Sequence, residues 1–91
     1  MWYNISMNRE EYLKSKDFMK LGQAIDHGQW QIAGMTAQRM QRNAAGIEGL
    51  NMDRNLIGIK QCIASRNKSE AQNILAQMVA KRVKMLKEMQ D

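Results

Sequence analysis

The sequence contains no proline and only one cysteine among its 91 residues. Because proline is the residue that interrupts helices and stiffens linkers, its absence predicts long, uninterrupted helices. The lone Cys62 excludes an intramolecular disulfide and favours a reducing, cytoplasmic compartment. Cys62 lies in an apolar stretch of the chain, and we expect its thiol to be a small buried group.

Groups that perform chemistry are also scarce. His27 is the only histidine, and with its neighbour Asp26 it supplies too few ligands for a metal site. Glu10 and Glu11 fall in the first turn of a predicted helix, where the helix dipole favours acidic side chains. The stretch 46–49 has the glycines of a phosphate loop but not its lysine or preceding strand. We therefore expect no enzymatic activity, no catalytic residues, no metal site and no cofactor.

Long hydrophobic runs are missing as well. The first residues, 1–6, lack the basic segment and apolar run of a signal peptide. A membrane-spanning helix needs about 18 consecutive apolar residues, and the sequence has no such stretch. We expect a chain without a membrane segment.

What the sequence does contain is helical periodicity. Hydrophobic residues make up 44% of the chain, nine of them methionine, and no segment alternates as a strand would. The first predicted helix begins near Arg9, where Asn8 and Glu11 form a capping box and Met7 and Tyr12 a hydrophobic staple. Its buried stripe is Phe18, Leu21 and Ile25.

Three further helices follow. The second is predicted over 29–45, with apolar or small residues at spacings of three and four: Trp30, Ala33, Ala37, Met40, Ala44 and Ile47. The third covers 52–66, with Gly58 as a close-packing position. Asn67 is expected to stop it, and a capping box, either Ser69 with Gln72 or Asn67 with Glu70, begins the fourth helix, which runs to about Glu88.

These elements predict an all-α fold. Connections of a few residues favour antiparallel neighbours, so we expect an up-down-up-down antiparallel four-helix bundle. The predicted domain covers residues 8–91, preceded by an N-terminal extension of residues 1–7. Ala71, Ile74, Leu75, Met78, Val79, Met85, Leu86 and Met89 are expected to form the apolar face of the last helix.

The net charge of +5 permits an acidic partner without selecting one. Arg39 and Arg42 lie on the second helix, and Lys81, Arg82, Lys84 and Lys87 crowd the last. Nucleic-acid grooves usually pair such charges with stacking aromatics, and here the aromatics are not interleaved with the arginines. A small basic nucleic-acid-binding accessory protein is therefore an alternative rather than the first hypothesis.

From Leu21 onward the chain resembles a histidine-containing phosphotransfer domain, a four-helix bundle of phosphorelays. The stretch 21–30 resembles that family's helix, acidic-glycine turn and aromatic residue opening the active helix. The stretch 37–47, Ala-Gln-Arg-Met-Gln-Arg-Asn-Ala-Ala-Gly-Ile, resembles the family pattern Ala-His-x-Leu-Lys-Gly-Ser-Ala followed by a glycine and an apolar residue.

Three positions depart from the pattern. The phosphorylated histidine falls on Gln38, whose amide cannot form a phosphoramidate; the lysine falls on Gln41, and the glycine on Arg42. The resemblance therefore implies a docking face without phosphotransfer, formed by Gln38, Arg39, Gln41 and Arg42. It implies a signalling module that binds a protein partner, such as a response-regulator receiver domain. A self-associating structural bundle, possible as a homodimer through Trp2, Tyr3 and the last helix, is the other alternative.

Overall fold

The structure is a computed structural model that describes residues 7–90. Within this range it is helical, with five helices and no strand: α1 (Arg9–Leu13), α2 (Asp17–Asp26), α3 (Trp30–Ala44), α4 (Asp53–Ser65) and α5 (Lys68–Glu88). The four longer helices pack against one another. Each contacts the next along the chain, and α2 also contacts α5. The all-α prediction is confirmed, and none of the described helices combines the length and apolarity needed to cross a membrane.

The first helix begins as predicted but ends early. Asn8 accepts a hydrogen bond from the Glu11 backbone N–H at 2.8 Å, and Glu11 accepts one from the Asn8 N–H, which completes the capping box. The chain then leaves the helix at 14–16, where one continuous helix was predicted. The Ser15 hydroxyl accepts a hydrogen bond from the Asp17 N–H at 3.1 Å. Serine competes for backbone groups in this way, and a second helix starts at that point.

The core contains the residues that helical spacing placed there. Leu21, Ile25, Ala33, Ala37, Leu56 and Ile59 are almost fully buried, as are Met40, Met52 and Met78. Cys62 is buried, as predicted. Gly58 lets α4 approach α5 closely, because a Cβ at this position would lie 3.2 Å from Ile74 Cδ1. Two predicted members of the apolar face of α5, Val79 and Met89, remain exposed.

The short α4–α5 connection differs from the prediction in detail. Arg66, rather than Asn67, takes the left-handed conformation with φ 57°. Asn67 instead caps α5, accepting a hydrogen bond from the Glu70 N–H at 3.2 Å. This is one half of the second predicted capping box, because the Asn67 N–H donates to the Cys62 carbonyl rather than to Glu70. Because the Asn67 side chain accepts the N-cap hydrogen bond of α5, the preceding residue, Arg66, takes the left-handed conformation that ends α4.

The predicted extension of residues 1–7 falls almost wholly outside the described residues. Of its members only Met7 is described, and it packs half-buried against the core. The expectations for Trp2 and Tyr3 lie outside the described range.

Candidate protein-docking site

All four residues of the predicted docking face lie on α3, but they point in three directions. Gln38 and Arg42 are exposed and stand one helical turn apart on the outer side of α3. Arg39 and Gln41 are half-buried at the two edges of that surface. The spacing explains the arrangement, because residues i and i+4 share a helix face and residues one apart do not.

Arg39 is directed towards α2. Its Nη2 lies 2.7 Å from Asp17 Oδ1 and its Nε donates to Asp17 Oδ2 at 3.2 Å, a two-pronged contact with a carboxylate that is largely buried. The hydrogen bonds to Asp17, together with its negative charge, raise the pKa of the Arg39 guanidinium further above its usual value. This geometry is the strong form of an arginine–carboxylate pair. Arg39 therefore joins α3 to α2 and is less free than predicted to contact a partner.

Gln41 is directed towards α4. Its side-chain oxygen accepts a hydrogen bond from Lys60 Nζ at 2.9 Å, and the same ammonium group donates to Gln38 Oε1 at 2.6 Å. The Gln41 amide nitrogen also lies 3.4 Å from Asp53 Oδ1. Lys60 thereby holds both glutamines in one orientation and brings a positive charge to this edge of α3.

An open groove with a volume of about 480 Å³ runs along the outer side of α3. We call it the α3 groove; its lining includes Trp30, Gly34, Met35, Gln38 and Arg42. Met35 projects with 64% of its surface exposed. Arg42 takes part in none of the side-chain hydrogen bonds or ion pairs found within residues 7–90. The groove thus combines an apolar wall with one uncommitted cation.

Sequence reasoning missed two contributors to this surface. Lys60 comes from α4, and no local pattern indicates that it reaches across to α3. Met35 falls outside the buried stripe of α3, and a large apolar residue at an outward position was the signal that could have identified it. Trp30 was assigned to the core, and it is only half-buried beside the groove.

Two basic residues of α5, Lys81 and Arg82, make contacts with other parts of the fold. Lys81 donates to the Asn51 carbonyl at 2.7 Å and to Asn55 Oδ1 at 2.9 Å. Arg82 donates to the Leu13 carbonyl, and its guanidinium lies 5.4 Å from the centre of the Phe18 ring. These contacts tie α5 to α1, α2 and α4. Two of the four α5 cations considered for nucleic-acid binding therefore have structural partners, as does Arg39 on α3.

Three further groups weighed from the sequence are His27, Asp26 and Cys62. His27 ends α2 and is exposed, while Asp26 accepts a hydrogen bond from the Gln72 amide at 2.8 Å. Burial, followed by the negative charge of Glu70, raises the pKa of the Cys62 thiol, which disfavours the nucleophilic thiolate. Among residues 7–90, no set of three or more histidine, cysteine, aspartate and glutamate side chains is placed to hold a metal ion.

Comparison with known proteins gives no relative: no protein-family model, curated protein or solved structure matches this chain.

Proposed function

We propose that this chain is a non-catalytic, phosphotransfer-like helical bundle that docks a protein partner through the α3 groove. The observation that carries the proposal is the outer side of α3, where Met35, Gln38 and Arg42 are exposed together on a rigid helix. Interfaces favour an apolar contact beside an arginine, and both are present here. The resemblance of stretch 37–47 supports a receiver domain as the partner.

The arrangement of the helices supports the same proposal. The connections at 27–29 and 66–67 are short, and short connections join antiparallel neighbours. We infer an up-down-up-down bundle, the architecture of the phosphotransfer domains that the sequence resembles. In that architecture the second long helix presents the docking surface, which is the position of α3 if α1 and α2 are counted as one interrupted helix.

The residue set supports docking without phosphotransfer. Gln38 occupies the position of the phosphorylated histidine, and its oxygen is engaged by Lys60. An amide is a poor nucleophile and cannot replace imidazole in that role. Arg42 replaces the glycine that leaves room for the partner in the family, and its long side chain lines the α3 groove. We infer that such a module holds or sequesters its partner without passing a phosphoryl group.

The test is a titration of the purified chain against isolated receiver domains from its source genome, with binding measured by calorimetry. We expect Arg42→Glu to weaken binding by about tenfold or more, the equivalent of about 1.4 kcal/mol, because the reversed charge faces the partner directly. Lys84→Glu is the matched control, since Lys84 is exposed on α5, away from α3, and carries the same charge.

Four outcomes of this titration can be distinguished. A loss confined to Arg42→Glu supports the α3 groove. Equal losses in both variants would indicate only a general attraction between the net positive charge and an acidic partner. Unchanged affinity of Arg42→Glu would show that the α3 groove is not the interface. Absence of binding to every receiver domain tested would show that receiver domains are not the partner.

A further inference from the structure

A second surface exposes apolar side chains on the opposite side of α2. Met19 on α2 and Val79 and Val83 on α5 are 65%, 37% and 43% exposed, respectively. The seam between two helices of a bundle normally buries such residues. The apolar sector of α5 is wider than the surface that its neighbours cover, so the α2–α5 seam remains open to solvent.

This surface is concave. A Cβ at Gly22 would lie 3.3 Å from Leu75 Cδ2, so the missing side chain allows α2 and α5 to meet closely at the bottom of the seam. Two shallow depressions, of about 300 and 420 Å³, adjoin at Val79. We call the combined feature the α2/α5 groove. Along α5 it extends from Gln72 to Arg82, which corresponds to roughly 15 Å, or three helical turns.

The two ends of the groove carry opposite charge. Lys14 and Lys16 line the end at Arg82. Lys14 forms an exposed ion pair with Glu10 at 3.3 Å, whereas Lys16 takes part in no ion pair found within residues 7–90. At the other end lies the carboxylate of Asp26, held in place by the Gln72 amide. The apolar middle, with Leu75, Ala76 and Val79, separates them. A ligand complementary to this groove is therefore apolar along one stripe. It is negative at the end that faces Lys14 and Lys16, and positive or neutral at the end that faces Asp26.

We propose that the α2/α5 groove binds an amphipathic helix of a partner protein that lies parallel to α5, with acidic side chains near its C-terminal end. A helix fits because its convex apolar stripe, with anchors at i, i+4 and i+7, fills a groove of three turns. Its own dipole is positive at the N-terminus, which faces Asp26, and negative at the C-terminus, which faces Lys14 and Lys16. The proposal does not depend on the function of the α3 groove.

Two other occupants fit the surface less well. An anionic membrane is attracted by lysines, but it requires a convex or flat apolar surface, and Asp26 repels it. A second copy of the chain related by a two-fold axis would set one concave groove against another, which leaves the middle of the contact unfilled.

The experiment is a selection from a displayed library of helical peptides about 14 residues long, roughly four turns, randomised on one face and presented to the full chain. We expect enriched peptides to carry acidic residues near the C-terminus. Their affinity should fall about tenfold or more with Val79→Lys, because a buried charge replaces an apolar contact at the centre of the groove. Met19→Lys, at the most exposed of the three apolar positions, provides a second variant should Val79→Lys lower the helicity.

Ile57 on α4 and Lys20 on α2 both lie outside the α2/α5 groove and supply matched controls. Ile57→Lys makes a comparable change at an α4 side chain that is 43% exposed, and it should leave affinity unchanged. Lys16→Glu should weaken binding several-fold at low salt, because it reverses an exposed charge at the basic end of the groove. Lys20→Glu on α2, outside the groove, should not.

Four results would contradict the proposal that the α2/α5 groove binds a partner helix. The proposal is overturned if no peptide is enriched, or if the enriched peptides bind Val79→Lys as tightly as the wild type. Sedimentation showing a dimer that Val79→Lys dissociates would assign the groove to a second copy. Binding to phosphatidylserine vesicles that the same variant abolishes would assign it to a membrane. Either of these two results also overturns the helix proposal.

Discussion

Helix α2 packs against α3 on one side and against α5 on the other, and these two seams are built differently. The α2–α3 seam is closed by the paired hydrogen bonds between Asp17 and Arg39, with Asp17 only 9% exposed. The α2–α5 seam has a close approach at Gly22 and one exposed polar contact, between Asp26 and Gln72. Met19, Val79 and Val83 on its outer side are left facing solvent.

The two seams therefore differ in how strongly they fix the position of α2. The largely buried Asp17 carboxylate needs a partner in a fixed position, since without Arg39 it would lose two charge-assisted hydrogen bonds without recovering water. It therefore specifies how α2 lies on α3. The open α2–α5 seam constrains the position of α2 less, and its exposed apolar side chains stay available to contact another molecule. Five substitutions in three groups, given from the largest expected effect to the smallest, test the difference between closed and open contacts in this fold.

The largest effect is expected on α5, where the closed and open sides meet at adjacent residues. Met78 is fully buried, and Met78→Ala should lower the free energy of unfolding by about 3 kcal/mol through lost contacts and a cavity. Val79→Ala should lower it by less than about 1 kcal/mol, because the valine is already partly hydrated. Urea unfolding followed by circular dichroism measures both. Similar losses would mean that the α2/α5 groove is part of the core.

The two aspartates at the ends of α2 compare the seams directly. Asp17→Ala should cost about 2 kcal/mol, because it removes two charge-assisted hydrogen bonds and leaves Arg39 without its partner. Asp26→Ala should change stability by less than about 0.5 kcal/mol, since its contact with Gln72 is exposed. Chemical denaturation of the two variants side by side is the measurement. A larger loss in Asp26→Ala than in Asp17→Ala would reverse the comparison.

The smallest effect concerns Tyr12, whose hydroxyl donates to the Met40 carbonyl at 3.1 Å and so joins α1 to α3. Burial, followed by the charge of Asp17, raises the pKa of Tyr12 to about 12. Tyr12→Phe should cost about 1 kcal/mol at neutral pH.

The pH dependence of that difference follows from linkage. Above pH 10 the unfolded tyrosine loses its proton while the folded one keeps it, so the stability from Tyr12 is complete below pH 10 and is lost as the pH rises towards 12. The stability difference between wild type and Tyr12→Phe should therefore shrink over this range, as denaturation midpoints at several pH values would show. A constant difference would contradict the raised pKa.

Much of the fold was predictable because its signals are local. The predicted bounds 29–45 and 52–66 differ by one residue at each end from α3 and α4. Helical spacing also identified Leu21, Ile25, Met40 and Leu56 as core. The break after α1 was missed, since Ser15 ends a helix only when its hydroxyl turns to the backbone, and the surrounding periodicity continues unchanged. The left-handed Arg66 was missed because its neighbour Asn67 has the stronger intrinsic preference.

The candidate sites were predictable in part. The position of Gln38 and Arg42 on one outward face follows from the helical period alone. Arg39 and Gln41 point away from that outward face because they contact Asp17 and Lys60, respectively. These partners are distant in sequence and become neighbours only after the helices pack. The α2/α5 groove was not predicted, because Val79 fits the apolar stripe of α5 and only the position of α2 decides whether it is covered.

Five of the described methionines lie in two contrasting environments. Met40, Met52 and Met78 are enclosed in the core, whereas Met19 and Met35 present their thioethers to solvent, one in each groove. Oxidants reach exposed thioethers first and convert them to polar sulfoxides. Aged or peroxide-treated protein would thus stay folded while both of its apolar surfaces became hydrophilic. The intact mass of a preparation is therefore the quantity to check before a lost affinity is attributed to any substitution.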